Sequence, residues 1–277
     1  MNKLKEIFRV NWKSYLQQNN NLRDVEKHEI NKFLNCSKSS CNSRVCTSCG
    51  KRYADNLSNS LKVFDVAHLH ITLTVSSLLW PFIKDKHLKI FMDCAIIAIK
   101  RYYNRDVTPG CIVFLHTFGR DLGYKPHLHV LATKGGFKNG KFILINRLPK
   151  YKKLGFLWRN VMINSFDFED IGISRILFDQ FRTKITVIRD KKRLLRYVLR
   201  YSRHPPIANS RIVQSIGGFV YSYYISHRTR KRVNVVQTAD KFMKLLVQHI
   251  PMTQFKISRH YGAYSRNQKG LYSSSLN

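Results

Sequence analysis

Lys125-Pro126-His127-Leu128-His129-Val130-Leu131-Ala132-Thr133 is the stretch on which the fold turns. It reads as a β-strand: Pro126 opens it, apolar residues follow, and Gly135-Gly136 closes it. Side chains two apart on a strand share a face, so His127 and His129 project together while Leu128 faces the opposite layer. Two imidazoles roughly 7 Å apart along one face can close on a single divalent ion. The bland alternative is a pair of imidazoles hydrogen-bonded on a sheet. With 11 His in 277 positions, chance supplies about 0.4 such pairs, so one match is weak. The chain has two, His68/His70 and His127/His129, and spacing alone does not choose between them.

Working outward, His68-Leu69-His70-Ile71-Thr72-Leu73-Thr74-Val75 is β-branched and strand-like, and Cys111 to Phe118 is an apolar strand. Helical spacing covers residues 3–18, 22–34, 87–103 and 150–164. Lys138-Asn139-Gly140-Lys141 signals a hairpin turn, and Lys184 to Ile188 a short strand. Phe219 to Ser226 and Val233 to Val236 flank Arg228–Arg232 as another hairpin, after which Thr238 caps a helix running to His249. Strands and helices lack the regular alternation of βαβ units, so the expectation is an α+β fold with a largely antiparallel sheet. The expected organisation is a helical, cysteine-rich lead-in over 1–60, one large domain over 61–266 and a disordered tail over 267–277.

Apolar content of 44% suits a globular chain, but 49 Lys+Arg against 16 Asp+Glu does not suit an ordinary one. A formal charge of +33 calls for a polyanionic partner, because self-repulsion on that scale gains folding nothing. A ribosome or a membrane surface would satisfy the charge as well as DNA does. No apolar run is long enough to span a bilayer and no signal-peptide h-region opens the chain, so a cytoplasmic protein with no membrane partner is expected. The acids form no cluster on strand ends, which disfavours a carboxylate-triad nuclease.

Four of the six cysteines fall between residues 36 and 49. In a reducing compartment that clustering suggests metal ligation over disulfides. Cys46-Thr47-Ser48-Cys49-Gly50 has zinc-knuckle spacing, and Gly50 suits a tight turn aiming both thiolates at one ion. Cys36 and Cys41 complete a Zn²⁺ set, with His28 as a substitute. Free thiols are the alternative. Cys94 and Cys111, in apolar contexts, read as buried thiols.

Residues 190–203 read as a helix stopped by His204-Pro205-Pro206. Tyr197 and Tyr201 stand one turn apart on one of its faces. A packed aromatic stripe is the ordinary reading, but Arg196, Arg200 and Arg203 surround the pair, which suits a helix facing phosphates. Together these parts describe one reaction: a divalent metal polarises a phosphodiester, and a tyrosine attacks it to leave a phosphotyrosine and a free hydroxyl. Two tyrosines permit two sequential transfers.

At this level of detail the chain resembles the two-tyrosine HUH rolling-circle transposases of bacterial insertion sequences, which carry an N-terminal zinc-binding region. The resemblance rests on four segments: Phe114 to Leu131, Tyr197 to Arg211, His249-Ile250-Pro251 with Arg259 to Ser265, and Cys41 to Arg52. It implies His127 and His129 as ligands of Mg²⁺ or Mn²⁺, because Ile71-Thr72-Leu73-Thr74 looks like the strand motif beside the metal strand. His68 and His70 then take the structural reading. A third ligand is usual in the superfamily, and His116, on the neighbouring strand, is the candidate for it. Tyr197 and Tyr201 map onto the nucleophiles, Arg196, Arg200, Arg203 and Arg211 are the DNA-binding candidates, and the substrate implied is single-stranded transposon-end DNA in the bacterial nucleoid. One departure stands out: between Cys36 and Cys41 the family carries a longer insert with its own Cys-x-x-Cys. An inactive element remnant, a non-catalytic zinc-knuckle DNA-binding protein and a replication-initiating nuclease are the competing readings.

Overall fold

The computed structural model describes residues 2–61, 63–103, 106–146, 150–166, 181–190, 193–194, 196–197, 205–226 and 228–267. In chain order the elements are α1 (Lys3–Gln18), α2 (Asp24–Leu34), α3 (Thr47–Ser60), β1 (His68–Thr74), α4 (His87–Tyr103), β2 (Gly110–Phe118), β3 (Tyr124–Thr133), β4 (Gly135–Lys138), β5 (Lys141–Leu144) and α5 (Tyr151–Ser165). They continue with β6 (Thr183–Ile188), β7 (Ile212–Ile216), β8 (Phe219–Ile225), β9 (Arg232–Thr238), α6 (Ala239–Val247) and β10 (Ser258–Gly262). The fold is α+β with antiparallel pairing. Two compact units are interleaved along the chain: residues 1–57, 117–124 and 203–255 form one, and 58–116, 125–202 and 256–277 the other.

The second unit is built on a five-stranded sheet in the order β10-β2-β3-β1-β6. Alternation on β1 and β3 gives this sheet one apolar face: Leu69, Ile71, Leu73, Leu128 and Val130 have no exposed surface. Helices α4 and α5 belong to the same unit. The Tyr261 hydroxyl donates to Asp93 of α4 at 2.8 Å, and the Trp158 indole of α5 donates to the Thr74 carbonyl at 2.9 Å. The opposite side-chain parity belongs to His68, His70, Thr72, His127 and His129, and β1 pairs Thr72 with His129 and Thr74 with His127. Gly135-Gly136 does more than close β3. It opens β4, where a Cβ on Gly135 would meet the Ile143 carbonyl at 2.2 Å. Asn139 and Gly140 turn the hairpin to β5 with φ of 49° and 75°, the left-handed pair that a two-residue turn demands. Strand β10 was not expected from its short, polar sequence. It is held by pairing to β2, Tyr261 against Cys111.

In the first unit the stripe Leu4, Ile7, Phe8, Trp12 and Tyr15 of α1 buries against Ile30 and Phe33 of α2, Phe242 and Leu246 of α6, and Val220 of β8. Thr238 caps α6 by accepting from the Lys241 amide at 3.3 Å. His249 locks the β2–β3 turn: Nε2 donates to the Leu122 carbonyl at 2.9 Å, Nδ1 meets the Thr117 hydroxyl at 3.1 Å, and the ring stacks on Tyr124. Helix α3 and strand β7 had no clear signal in the sequence. Gly50 sits not in a tight turn but inside the first turn of α3, its amide donating to the Cys46 carbonyl at 2.9 Å. Among the described residues no helix is long and apolar enough to cross a membrane.

Candidate active site

Strand β3 carries His127 and His129, and its neighbour β2 carries His116. The three rings form a near-equilateral triangle, with centroids 4.9, 5.1 and 5.4 Å apart. One ring nitrogen from each lies within 4.8 Å of the others, the convergence a single ion requires. A carbonyl can only accept, so the His127 Nδ1–H must donate to the Lys125 carbonyl at 2.8 Å, which leaves Nε2 with its lone pair. His129 Nδ1 faces His70 Nε2 at 3.1 Å and Thr72 Oγ1 at 3.5 Å. Those partners leave the His129 Nε2 as its coordinating atom. Burial lowers the pKa of both His127 and His129, and for His129 the neighbouring imidazoles of His116, His127 and His70 lower it further. The rings are neutral near pH 7, the form that binds metal.

Tyr197 is 6% exposed, with its ring 4.5 Å from that of His70 and 6.1 Å from Phe114 of β2. It is helical together with Arg193, Leu194 and the exposed Arg196. Tyr201, Arg200 and Arg203 lie outside the described residues. Arg211 belongs to the first unit and spends its guanidinium on backbone: Nε donates to the Tyr223 carbonyl at 3.0 Å and Nη2 to the Arg120 carbonyl at 2.7 Å. That commitment makes it a strut of the β7–β8 region.

The two remaining histidines of the β1 pair part company. His68 is a buried structural residue bonded to the Val66 carbonyl and, at 2.6 Å, to the Tyr264 hydroxyl, and burial pushes its pKa down to about 4. His70, given the structural reading by resemblance, instead contacts both His129 and the Tyr197 ring. Side-chain parity on β1 and β3 was the available signal. It fails without the register that sets Thr72 opposite His129. At the sheet edge β6 adds Lys184 opposite Thr72, an exposed cation on the parity of the histidines.

In the first unit the four sulfurs converge as well. Cys36–Cys49, Cys41–Cys49 and Cys36–Cys46 Sγ separations are 3.8, 3.5 and 3.8 Å. Four sulfurs around a zinc at the usual Zn–S length stand about 3.8 Å apart, so the cage has a tetrahedral edge and is far too open for a disulfide. His28 is not part of it. Burial pushes the Cys46 thiol up to about 11 and raises that of Cys41. Cys36 is also penalised by burial, but hydrogen bonds from the Cys41 backbone amide and from the neighbouring thiols bring it down to about 7.

Residues 110–169 and 173–270 match the family Y2_Tnp, described as "Putative transposase". Over 330 aligned residues the chain is 25% identical to the transposase for insertion sequence element IS801 of Pseudomonas savastanoi pv. phaseolicola, covering 97% of this chain and 78% of that protein. It is 27% identical over 200 residues to "Putative transposase y4qJ" of Sinorhizobium fredii (strain NBRC 101917 / NGR234), covering 60% of this chain and 48% of that protein. No solved structure matches.

Proposed function

The chain belongs to the Y2_Tnp transposase family, and on that premise we propose that it cleaves and rejoins single-stranded transposon-end DNA through a 5′-phosphotyrosine. The observation that carries this reading is the packing of the Tyr197 ring on His70, which itself bonds the His129 of a three-histidine cluster. His116, His127 and His129 would hold a divalent cation. An all-nitrogen set suits Mn²⁺ better than Mg²⁺, which demands oxygen ligands. When bound, that cation would neutralise charge on the scissile phosphate.

The protein's own groups supply the rest. Tyr197 or Tyr201 offers a phenol oxygen, which attacks phosphorus as its proton is taken up. The P–O bond to the 3′ oxygen breaks, and that oxygen leaves as a free 3′-hydroxyl after gaining a proton. The phosphotyrosine bond keeps the energy of the broken diester, so attack by a second 3′-hydroxyl rejoins strands and frees the tyrosine. The second tyrosine of the pair allows a second cut before the first product departs. Lys184 on β6 and Arg196 beside Tyr197 offer positive charge for neighbouring phosphates. The cysteine cage would hold Zn²⁺ as a structural ion of the first unit.

The test is covalent trapping. Incubation with Mn²⁺ and an oligonucleotide of the element end should yield a protein–DNA adduct at the 5′ phosphate. Combined Tyr197→Phe and Tyr201→Phe should abolish it, and persistence of the adduct in that double variant would reject the tyrosine assignment.

A further inference from the structure

Strands β7–β9 present a face that this chemistry does not use. Alternation on β8 turns Val220 and Ser222 into the core and Phe219, Tyr221, Tyr223 and Ile225 outward. The ladder sets Val236 beside Tyr221, and Ile216 beside Phe219. Ile216 is 63% exposed, Val236 56% and Phe219 46%, a contiguous apolar and aromatic patch of the kind that marks a binding surface. At one end the β8–β9 turn raises Arg228, Arg230 and Lys231, all exposed. Arg232 follows, its guanidinium 3.9 Å above the Tyr223 ring and its Nε donating to Asn234 at 2.9 Å. Residues 212–238 contain no Asp or Glu.

We infer that this face is a stacking platform for single-stranded DNA, with Phe219 and Tyr221 receiving bases and the Arg228–Arg232 ridge, whose Arg232 already covers the Tyr223 ring, receiving phosphates. The inference rests on the single-strand reading above and names where the strand is held. The two open rings, two residues apart on β8, stand about 7 Å apart, a spacing that an extended strand with unstacked bases can follow. A duplex hides its base faces and could use the ridge but not the rings. A second copy of the chain would bring a like charge of +33 against the same cations.

The experiment is fluorescence anisotropy on the full chain with labelled oligo-dT of twenty nucleotides and a duplex of equal length. Phe219→Leu and Tyr221→Ala should each weaken oligo-dT binding by about 5- to 100-fold, while Tyr221→Phe keeps most of it because stacking uses the ring and not the hydroxyl. Arg230→Ala and Lys231→Ala should each flatten the salt dependence by about 0.7 in log–log slope. Both ring positions are at least partly exposed, and a wild-type thermal midpoint certifies that each variant is folded. If the wild type binds oligo-dT and the folded ring variants bind it equally well, the platform is refuted while the single-strand reading stands. If the wild type does not bind oligo-dT, the single-strand reading falls and the platform with it. If the variants change oligomeric state by gel filtration but not DNA affinity, the face belongs to self-association and the inference is overturned.

Discussion

His70→Phe separates a metal site held by its surroundings from three histidines that merely happen to be close. The change keeps a flat ring against Tyr197, so packing at the 4.5 Å contact survives and stability should move by less than about 1.5 kcal/mol. It removes the Nε2 atom 3.1 Å from His129 Nδ1, while the Thr72 hydroxyl stays at 3.5 Å, a longer and weaker partner. Loss of an outer-shell partner typically weakens metal binding about 10- to 100-fold. Thr72 remains, and the Lys125 carbonyl still fixes His127, so the loss should sit near the lower bound, about tenfold or about 1.4 kcal/mol. Titration of Mn²⁺ by electron paramagnetic resonance reads this directly, with the cysteine cage first filled by zinc. Adduct formation should be slow at limiting Mn²⁺ and return to the wild-type rate at saturation. A Mn²⁺ affinity within twofold of wild type would refute the claim that His70 orients His129.

The cysteine cage predicts one zinc per purified chain by elemental analysis, with Cys49→Ser losing it and lowering the thermal midpoint of the first unit, since binding energy of a structural zinc is folding energy. Leu128, on the apolar face behind the histidines and wholly buried, should lose about 2–5 kcal/mol on Leu128→Ala, read as a shift of the urea midpoint at unchanged slope. Stability should also fall in acid. His68 and His249 are held by burial near a pKa of about 4 against a usual value of 6.5. The unfolded chain therefore binds protons that the native chain refuses between those values. Their contribution is complete above about pH 6.5 and is lost as pH drops toward 4, at up to about 3 kcal/mol per imidazole. Chemical unfolding at pH 7 and pH 4.5 checks the sign.

Much of the site's inventory was legible in the sequence because it depends on local periodicity. The two-residue repeat of His127 and His129, the helical stripes of α1 and α4, the Asn139-Gly140 turn and the close spacing of four cysteines all act over a few residues. What was hidden is long-range. Periodicity near His70 does not tell whether its strand pairs with β3, which only the resemblance of Ile71–Thr74 implied, and the same alternation that marks His127/His129 marks His68/His70 equally. Tyr197 reaches His70 across more than a hundred residues, a contact no window contains. The polar β10 has no propensity of its own and becomes a strand because β2 offers it an edge. The interleaving of the two units through the β2–β3 turn has no signature in composition.

The sequence by itself determined the chemistry on offer: imidazoles sharing a strand face, thiols spaced for one ion, a tyrosine among arginines, and a charge that demands a polyanion. Those follow from side-chain identity and from the fixed repeats of helix and strand. Only the tertiary structure decided which of these groups meet. Strand order and register bring His116 and His70 to the His127/His129 pair and commit half-buried Arg211 to backbone carbonyls. Hydrophobic burial on the opposite face of the sheet sets that register, because a one-residue slip of β3 would turn Leu128 and Val130 off the apolar face and carry His127 and His129 onto it.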